Sequence, residues 1–247
     1  MIQSYVYNCD CLEYMRSLPD KTFDLAIADP PYGDAAVNEG VSPPPILRKQ
    51  QKYNRFGGIF DAYKASVQDR GNLGGKILKK IIGWDEAPQP EFFDELLRVS
   101  KVAIIWGGNY FRLPPTRCFL VWKKHIPETF SMAMCEYAWT SMNGNAKLFE
   151  APSIRSATAG RFHPTEKPMA LYEWCLRLYG KPGYKVFDPM MGSQSSRVAA
   201  WKMGYDYVGC ELDKEYYDKG CEWFDRECRG VYKTADGGTM VQGSLFD

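Results

Sequence analysis

The chain has 247 residues, of which 45% are hydrophobic and 25% charged, with a net charge of +1. That length suits one α/β domain or two small ones, and the proportions are those of an ordinary globular chain rather than a disordered or fibrous one. No apolar run reaches the ~18 residues of a membrane-spanning helix. The start MIQSYVYNCD lacks the basic-then-apolar pattern of a secretory signal, and the eight cysteines contain no C-x-x-C pair, so a reduced, cytoplasmic protein is expected. Two histidines and no ligand-spaced cluster argue against a metal enzyme.

In chain order, Ile2 to Asn8 reads as a strand, and Asp10, with Glu13 three positions later, can cap the following helix. The apolar run Phe23 to Ala28 reads as a buried strand and leads into Asp29-Pro30-Pro31-Tyr32. Two prolines there forbid helix and remove two backbone donors, and the aspartate ahead of them is pushed toward an extended conformation. The product is a stiff corner presenting a carboxylate, proline carbonyls and one ring, which suits a planar amino-bearing ligand.

Residues 34 to 72 read as a loop, and a loop of that length in a compact domain is usually functional. From Val41 to Ile82 nine basic residues face two acidic ones, so Arg48, Lys49, Lys52 and Arg55 are candidate phosphate contacts, with Tyr53 and Phe56 near bases. Leu73 to Ile82 and Pro90 to Ser100 look helical. Lys101 to Trp106 is a buried strand closed by Gly107-Gly108, and Cys118 to Trp122 and Cys135 to Thr140 are further strands. Residues 141 to 162 are polar and irregular, and form a candidate target-recognition insert.

Thr165 is expected to start a helix with Leu171, Trp174, Cys175 and Leu178 on its apolar stripe, stopped by Gly180 and Pro182. Tyr184 to Phe187 is a strand, Ser193 to Met203 a helix, Asp206 to Cys210 a strand, and Asp213 caps a last helix with Tyr217, Cys221, Phe224 and Cys228 on one face. The alternation of strands and helices implies parallel strands, whose ligands bind at the carboxyl ends. Asp29, Gly107, Asp188 and Glu211 all fall at such ends and are expected to share one crevice.

Asp188-Pro189-Met190-Met191-Gly192-Ser193 runs from strand into helix, where small residues let a ligand approach the backbone. An ordinary capped turn is the plain alternative. Glu211 closes the next strand 23 positions after Asp188, near the ~20-residue spacing of ribose-binding acids. His163-Pro164-Thr165-Glu166-Lys167-Pro168 reads on its own as a helix start.

Together these segments resemble the S-adenosylmethionine-dependent DNA amino-methyltransferases: D-P-P-Y, then H-P-T-x-K-P, then a D-P-F-x-G-S-G-T-T-like turn, then the acid, in the order that puts the catalytic motif first. Trp106-Gly107-Gly108-Asn109-Tyr110-Phe111 is similar to small phage-type members. Gln194 stands where that family's turn has a glycine, and either the loop conformation differs or the long side chain reaches the cofactor.

The resemblance implies a Rossmann-like α/β fold with a mixed seven-stranded sheet and helices on both faces. It implies a single domain over residues 1–229, with 34–82 as the basic substrate loop and 230–247 as a tail. It also implies methyl transfer from S-adenosylmethionine to adenine N6 in a flipped-out base of double-stranded DNA, with Asp29, Pro30, Pro31 and Tyr32 catalytic. Asp10, Thr165, Lys167, Phe187, Asp188, Met190, Gly192, Ser193 and Glu211 would hold the cofactor, Thr165 and Lys167 at its methionyl carboxylate. Cytosine N4 is the alternative target, RNA or protein amides follow, and a non-catalytic nucleic-acid binder of the same fold is the alternative class. Cytosine-C5 chemistry would need a nucleophilic cysteine, typically after proline, and no Pro-Cys pair occurs. Gln242 to Phe246 is similar to a sliding-clamp peptide, with a disordered or self-docked end as the plain reading.

Overall fold

The computed structural model describes residues 2–32, 86–129, 133–152, 162–163, 165–233 and 238–241. The basic loop with Arg48, Lys49, Lys52 and Arg55, the helix expected over 73–82 and the clamp-like segment 242–246 lie outside the described residues.

One eight-stranded sheet organises the chain. Its strands are β1 (Ser4–Tyr7), β2 (Phe23–Ala28), β3 (Ser100–Trp106), β4 (Leu120–Lys123), β5 (Cys135–Thr140), β6 (Lys147–Glu150), β7 (Lys185–Asp188) and β8 (Asp206–Cys210). The spatial order is β1-β8-β7-β2-β3-β5-β4-β6. Five strands, β1, β8, β7, β2 and β3, are mutually parallel, and β5 is antiparallel to both its neighbours, β3 and β4. The edge strand β6, parallel to β4, makes the sheet one strand wider than the seven expected. Its sequence, Lys147-Leu148-Phe149-Glu150, is mostly exposed and lacks the buried apolar run that marks the other strands.

Period-two alternation along the strands divides the core. Leu25 and Ile27 of β2 and Ile104 and Trp106 of β3 point to one face. There they meet α3 (Met169–Tyr179) and α4 (Ser195–Lys202) through Leu171, Cys175 and Ala199. Ala26, Ala28, Ala103 and Ile105 point to the other face, against α1 (Cys11–Arg16) and α2 (Pro90–Val99) through Met15, Phe92 and Leu96. Burial on both faces explains why β2 and β3 read as continuous apolar runs. Each fully buried Leu or Ile there contributes about 1.5–3 kcal/mol relative to exposure.

Two expectations shift by a turn. α3 begins at Met169 and not at Thr165, because Pro168 is extended (φ −59°, ψ 135°) and proline drives the preceding Lys167 out of the helical region. Its buried positions are Leu171, Tyr172, Cys175 and Leu176, so Trp174 and Leu178 flank the stripe. The last helix, α5 (Lys214–Arg229), is capped by Asp213 as expected, but buries Tyr216, Gly220 and Phe224. A short hairpin of β9 (Val231–Lys233) and β10 (Thr239–Val241) follows it, in a segment expected to be a tail.

The chain moves from β2 to β3 in one direction across the sheet and from β7 to β8 in the other. The neighbours β2 and β7 therefore mark a topological switch point, where the loops diverge and leave a crevice. Asp29 follows β2 and Asp188 ends β7, so both carboxyls stand at that crevice.

Candidate active site

At the carboxyl end of β2 the Tyr32 ring folds back over Gly107, which follows β3 in a left-handed conformation (φ +70°). A Cβ at Gly107 would stand 2.1 Å from the Tyr32 ring, so a glycine is required both by the backbone and by the contact. Tyr110 and Phe111 hold the ring from the side, with centroids 4.9 and 6.3 Å away. The Tyr32 hydroxyl donates to Asp29 Oδ1 at 3.1 Å. A cavity of about 180 Å³ opens beside it, lined by Tyr32, Gly107, Asn109, Tyr110, Glu136 and neighbours.

The Asp29 carboxylate has a cation partner that its local sequence does not reveal. Lys167, 5% exposed, places its ammonium against Asp29 Oδ2 and 3.3 Å from Glu136 Oε2. It also lies 3.3 Å from the Tyr32 hydroxyl. Lys124, which follows β4, holds the other oxygen of Glu136. Asp29, Lys167, Glu136 and Lys124 thus alternate in sign along one chain of contacts.

Electrostatics follow from that order. Burial pushes the Asp29 carboxyl above its ordinary range, and the Glu136 charge adds to this against the opposing pull of Lys167. Burial works against the Lys167 ammonium as well, but Asp29 and Glu136 together hold its pKa above the usual lysine range. Glu136, between two ammoniums, is held down to about 2 despite its burial. A buried ion pair is stable only when its partners are well satisfied, and this chain supplies a counter-charge at every step.

Across the switch point the acids stand differently. Asp188 is buried; its Oδ1 accepts the Met190 backbone N–H at 3.1 Å and its Oδ2 the Ser196 hydroxyl at 2.6 Å. Burial pushes its carboxyl up to about 7, the two hydrogen bonds oppose this, and the nearby charges of Asp29 and Glu211 add to it. Glu211 spans the loop, accepting Gly192 N–H at Oε2 and Asp213 N–H at Oε1, both at 2.8 Å. Asp10 caps α1 through Oδ1, which accepts Leu12 and Glu13 N–H at 2.7 and 3.1 Å. Asn8 ties the ends of β1 and β8 together by donating to the Glu211 carbonyl at 2.8 Å. Among the described residues no lysine or arginine forms an ion pair with Asp188, Glu211 or Asp10.

The expected cofactor residues therefore divide. Asp10, Asp188, Met190, Gly192, Ser193 and Glu211 sit at the carboxyl ends of β1, β7 and β8. Phe187 is fully buried and stacked on Phe23 at 4.3 Å, so its side chain belongs to the core. Thr165 is exposed and faces His163 at 3.4 Å. Lys167, expected at a cofactor carboxylate, reaches across to Asp29 because the extended Pro168 segment carries it there. Glu136 and Lys124 were missed: both lie at ordinary alternating positions, and only the reversed direction of β5 brings Glu136 to the carboxyl edge of β3.

Gln194 resolves the departure from the glycine-rich turn. It adopts the left-handed conformation that glycine would (φ 65°), so the loop geometry is kept. Its side chain is fully buried and turned toward α5, away from the crevice. Nε2 donates to the Tyr217 carbonyl at 3.0 Å, and Oε1 accepts from Arg197 at 2.8 Å. Gly220 leaves the room for it, since a Cβ there would stand 2.5 Å from Gln194 Nε2.

An α/β sheet with its acids at the switch point is the architecture of the Rossmann-like methyltransferases. The PvuII DNA methyltransferase, a cytosine-N4-specific enzyme, shares this fold, with a TM-score of 0.56 at 14% identity over 89% of this chain and 85% of that one. Residues 105–222 match the family model described as DNA methylase. Type II methyltransferase M2.MboI of Moraxella bovis is 22% identical over 86% of this chain and 84% of its own length. Type II methyltransferase M.ScaI of Streptomyces caespitosus is 21% identical over 92% and 83%. The chain is a DNA methyltransferase, and the family-model match together with these relatives supports its place among the S-adenosylmethionine-dependent DNA amino-methyltransferases, which modify adenine N6 or cytosine N4. The matched span carries Lys167, Asp188 and Glu211, and Asp29-Pro30-Pro31-Tyr32 lies ahead of it.

Proposed function

We propose that the chain methylates the N6 amino group of adenine in double-stranded DNA, with the base flipped into the cavity beside Tyr32. The observation that carries this reading is the Asp29 carboxylate at the switch point, hydrogen-bonded to Tyr32, whose ring lines an aromatic cavity of about 180 Å³. Such an amine is a poor nucleophile because its lone pair is delocalised into the ring. Asp29 would accept one of its N–H groups and the Pro30 carbonyl the other, which favours a pyramidal nitrogen with its lone pair aimed at the methyl donor. Positive charge develops on that nitrogen during transfer, and a carboxylate and a carbonyl fixed beside it stabilise the transition state. Tyr32, held by Gly107 and Tyr110, would stack on the base; such stacking is worth ~1–3 kcal/mol against a flipping cost of a few kcal/mol.

The acids at the ends of β7 and β8 fit S-adenosylmethionine, which when bound supplies an electrophilic methyl on a sulfonium. Asp188 is a buried carboxyl without a cation among the described residues, and Glu211 keeps free lone pairs for hydroxyl donors. Asp10, Thr165, Met190, Gly192 and Ser193 complete the proposed cofactor site, and the backbone of Phe187 its floor. Outside the described residues, Arg48, Lys49, Lys52 and Arg55 are proposed to bind phosphates, and Gln242 to Phe246 a sliding clamp.

The test is incubation with methyl-labelled cofactor and plasmid DNA, followed by nucleoside analysis, with Asp29→Ala in parallel. Label in N6-methyladenine, lost in the variant, is expected. Label in N4-methylcytosine would replace the target base, and transfer that survives Asp29→Ala would reject the site.

A further inference from the structure

Lys167 has two carboxylates for one ammonium. Its contact with Asp29 is close and that with Glu136 looser at 3.3 Å, yet the lysine is almost wholly buried. If Asp29 receives the target amine, as proposed above, the contact with Lys167 works against the reaction. The ammonium partly neutralises the carboxylate that must stabilise positive charge on the nitrogen, and it occupies an oxygen. The ammonium cannot be left alone in so buried a place.

Glu136 offers the alternative position. It comes from β5, on the cavity side of Lys167, and lines the cavity. Lys124 grips its Oε1, which leaves Oε2 turned to Lys167 and, at 3.5 Å, to the Tyr32 hydroxyl.

We propose that Glu136 is a positioning residue that draws the Lys167 ammonium off Asp29 when the target amine enters, so that the amine meets an unshared carboxylate. The groups facing Asp29 are Tyr32 from its own loop, Lys167 from the segment before α3, Glu136 from β5, the Asp188 carboxyl at the end of β7 and the Tyr172 phenol of α3, which burial keeps neutral. Their signs make the consequence testable. The Glu136 charge raises the Asp29 carboxyl and the Lys167 charge lowers it. Removing Glu136 also leaves Lys167 to Asp29 alone.

The experiment measures single-turnover methyl transfer against pH for the full-length wild type, Glu136→Gln, Lys167→Met, the double variant and Asp29→Ala, with cofactor affinity as a check on folding. Glu136→Gln is expected to lower the plateau rate about tenfold, a change of ~1.4 kcal/mol, while moving the acid limb to lower pH. Lys167→Met is expected to move the acid limb up. In the Lys167→Met background, Glu136→Gln is expected to have no further effect on the plateau. An unchanged acid limb in Glu136→Gln, an undiminished plateau, or an equal loss with and without Lys167 overturns the proposal. The last of these would mean that Glu136 contacts the base directly. Transfer that survives Asp29→Ala overturns both this proposal and the reading it rests on, whereas failure of the Glu136 pattern with a dead Asp29→Ala overturns this proposal alone.

Discussion

On one side of the crevice Asp29 and Glu136 share Lys167, and Lys124 closes a run of alternating charges. On the other side Asp188, Glu211 and Asp10 are satisfied by backbone amides and one hydroxyl, without a paired lysine or arginine among the described residues. The difference matches what each side is proposed to hold. A target amine is neutral, so the carboxylate that meets it needs a protein cation to be tolerable when the site is empty. S-adenosylmethionine carries a sulfonium and an ammonium, so acids waiting for it are left without internal cations. The raised Asp188 carboxyl, at about 7, is the cost of that arrangement in the free protein.

The largest break in the comparison should come from Gly107→Ala. The added Cβ meets the Tyr32 ring at 2.1 Å, and the backbone at φ +70° strains any L side chain. Displacing the ring by about 1 Å should cost roughly 100-fold in transfer rate. Cofactor affinity, which depends on the other side of the crevice, should stay at the wild-type value by calorimetry.

Gln194→Gly should sharpen the comparison by touching neither side. Glycine relieves the left-handed strain by about 1 kcal/mol. Losing the side chain, however, takes the oxygen acceptor from Arg197 Nη1, although Nε keeps its bond to Ser4, and removes a donor from the Tyr217 carbonyl. A hydrogen bond to a charged group is worth about 1.5–3 kcal/mol, so denaturant unfolding should show a net loss of stability, with cofactor affinity and methyl transfer kept. A more stable variant would contradict the assignment of Gln194 as a strut between α4 and α5.

Much of this was legible in the sequence, and the boundary has physical causes. Continuous apolar runs mark β2, β3, β7 and β8 because both faces of the sheet are covered, and motifs at their ends fixed Asp29, Asp188 and Glu211 in one crevice. Gly107 was legible as a strand terminator, but not as the seat of the Tyr32 ring. Glu136 was hidden because alternation along Cys135–Thr140 is the same whichever way the strand runs. Lys167 was visible as part of a motif, but its partner was not, since two residues 138 positions apart in sequence meet only through the extended Pro168 segment. The edge strand β6 and strand β10 are too short and too exposed to leave a hydrophobic pattern, and β9 has only three residues.

The division between the two sides can be tested by following S-adenosylmethionine affinity from pH 6 to pH 8 in the wild type, Asp29→Ala and Asp188→Asn. Titration of the ligand itself is common to all three. In the wild type Asp188 is protonated below about 7 and loses its attraction for a cation, so affinity should rise with pH, approaching tenfold per unit on the acid side. Asp29→Ala should keep that rise, at slightly lower pH because a neighbouring negative charge is gone, while losing methyl transfer. Asp188→Asn should flatten the rise and weaken binding by roughly 2 kcal/mol, yet transfer methyl groups when cofactor is saturating. The same pH dependence in Asp188→Asn as in the wild type, or the loss of binding rather than transfer in Asp29→Ala, would contradict the account.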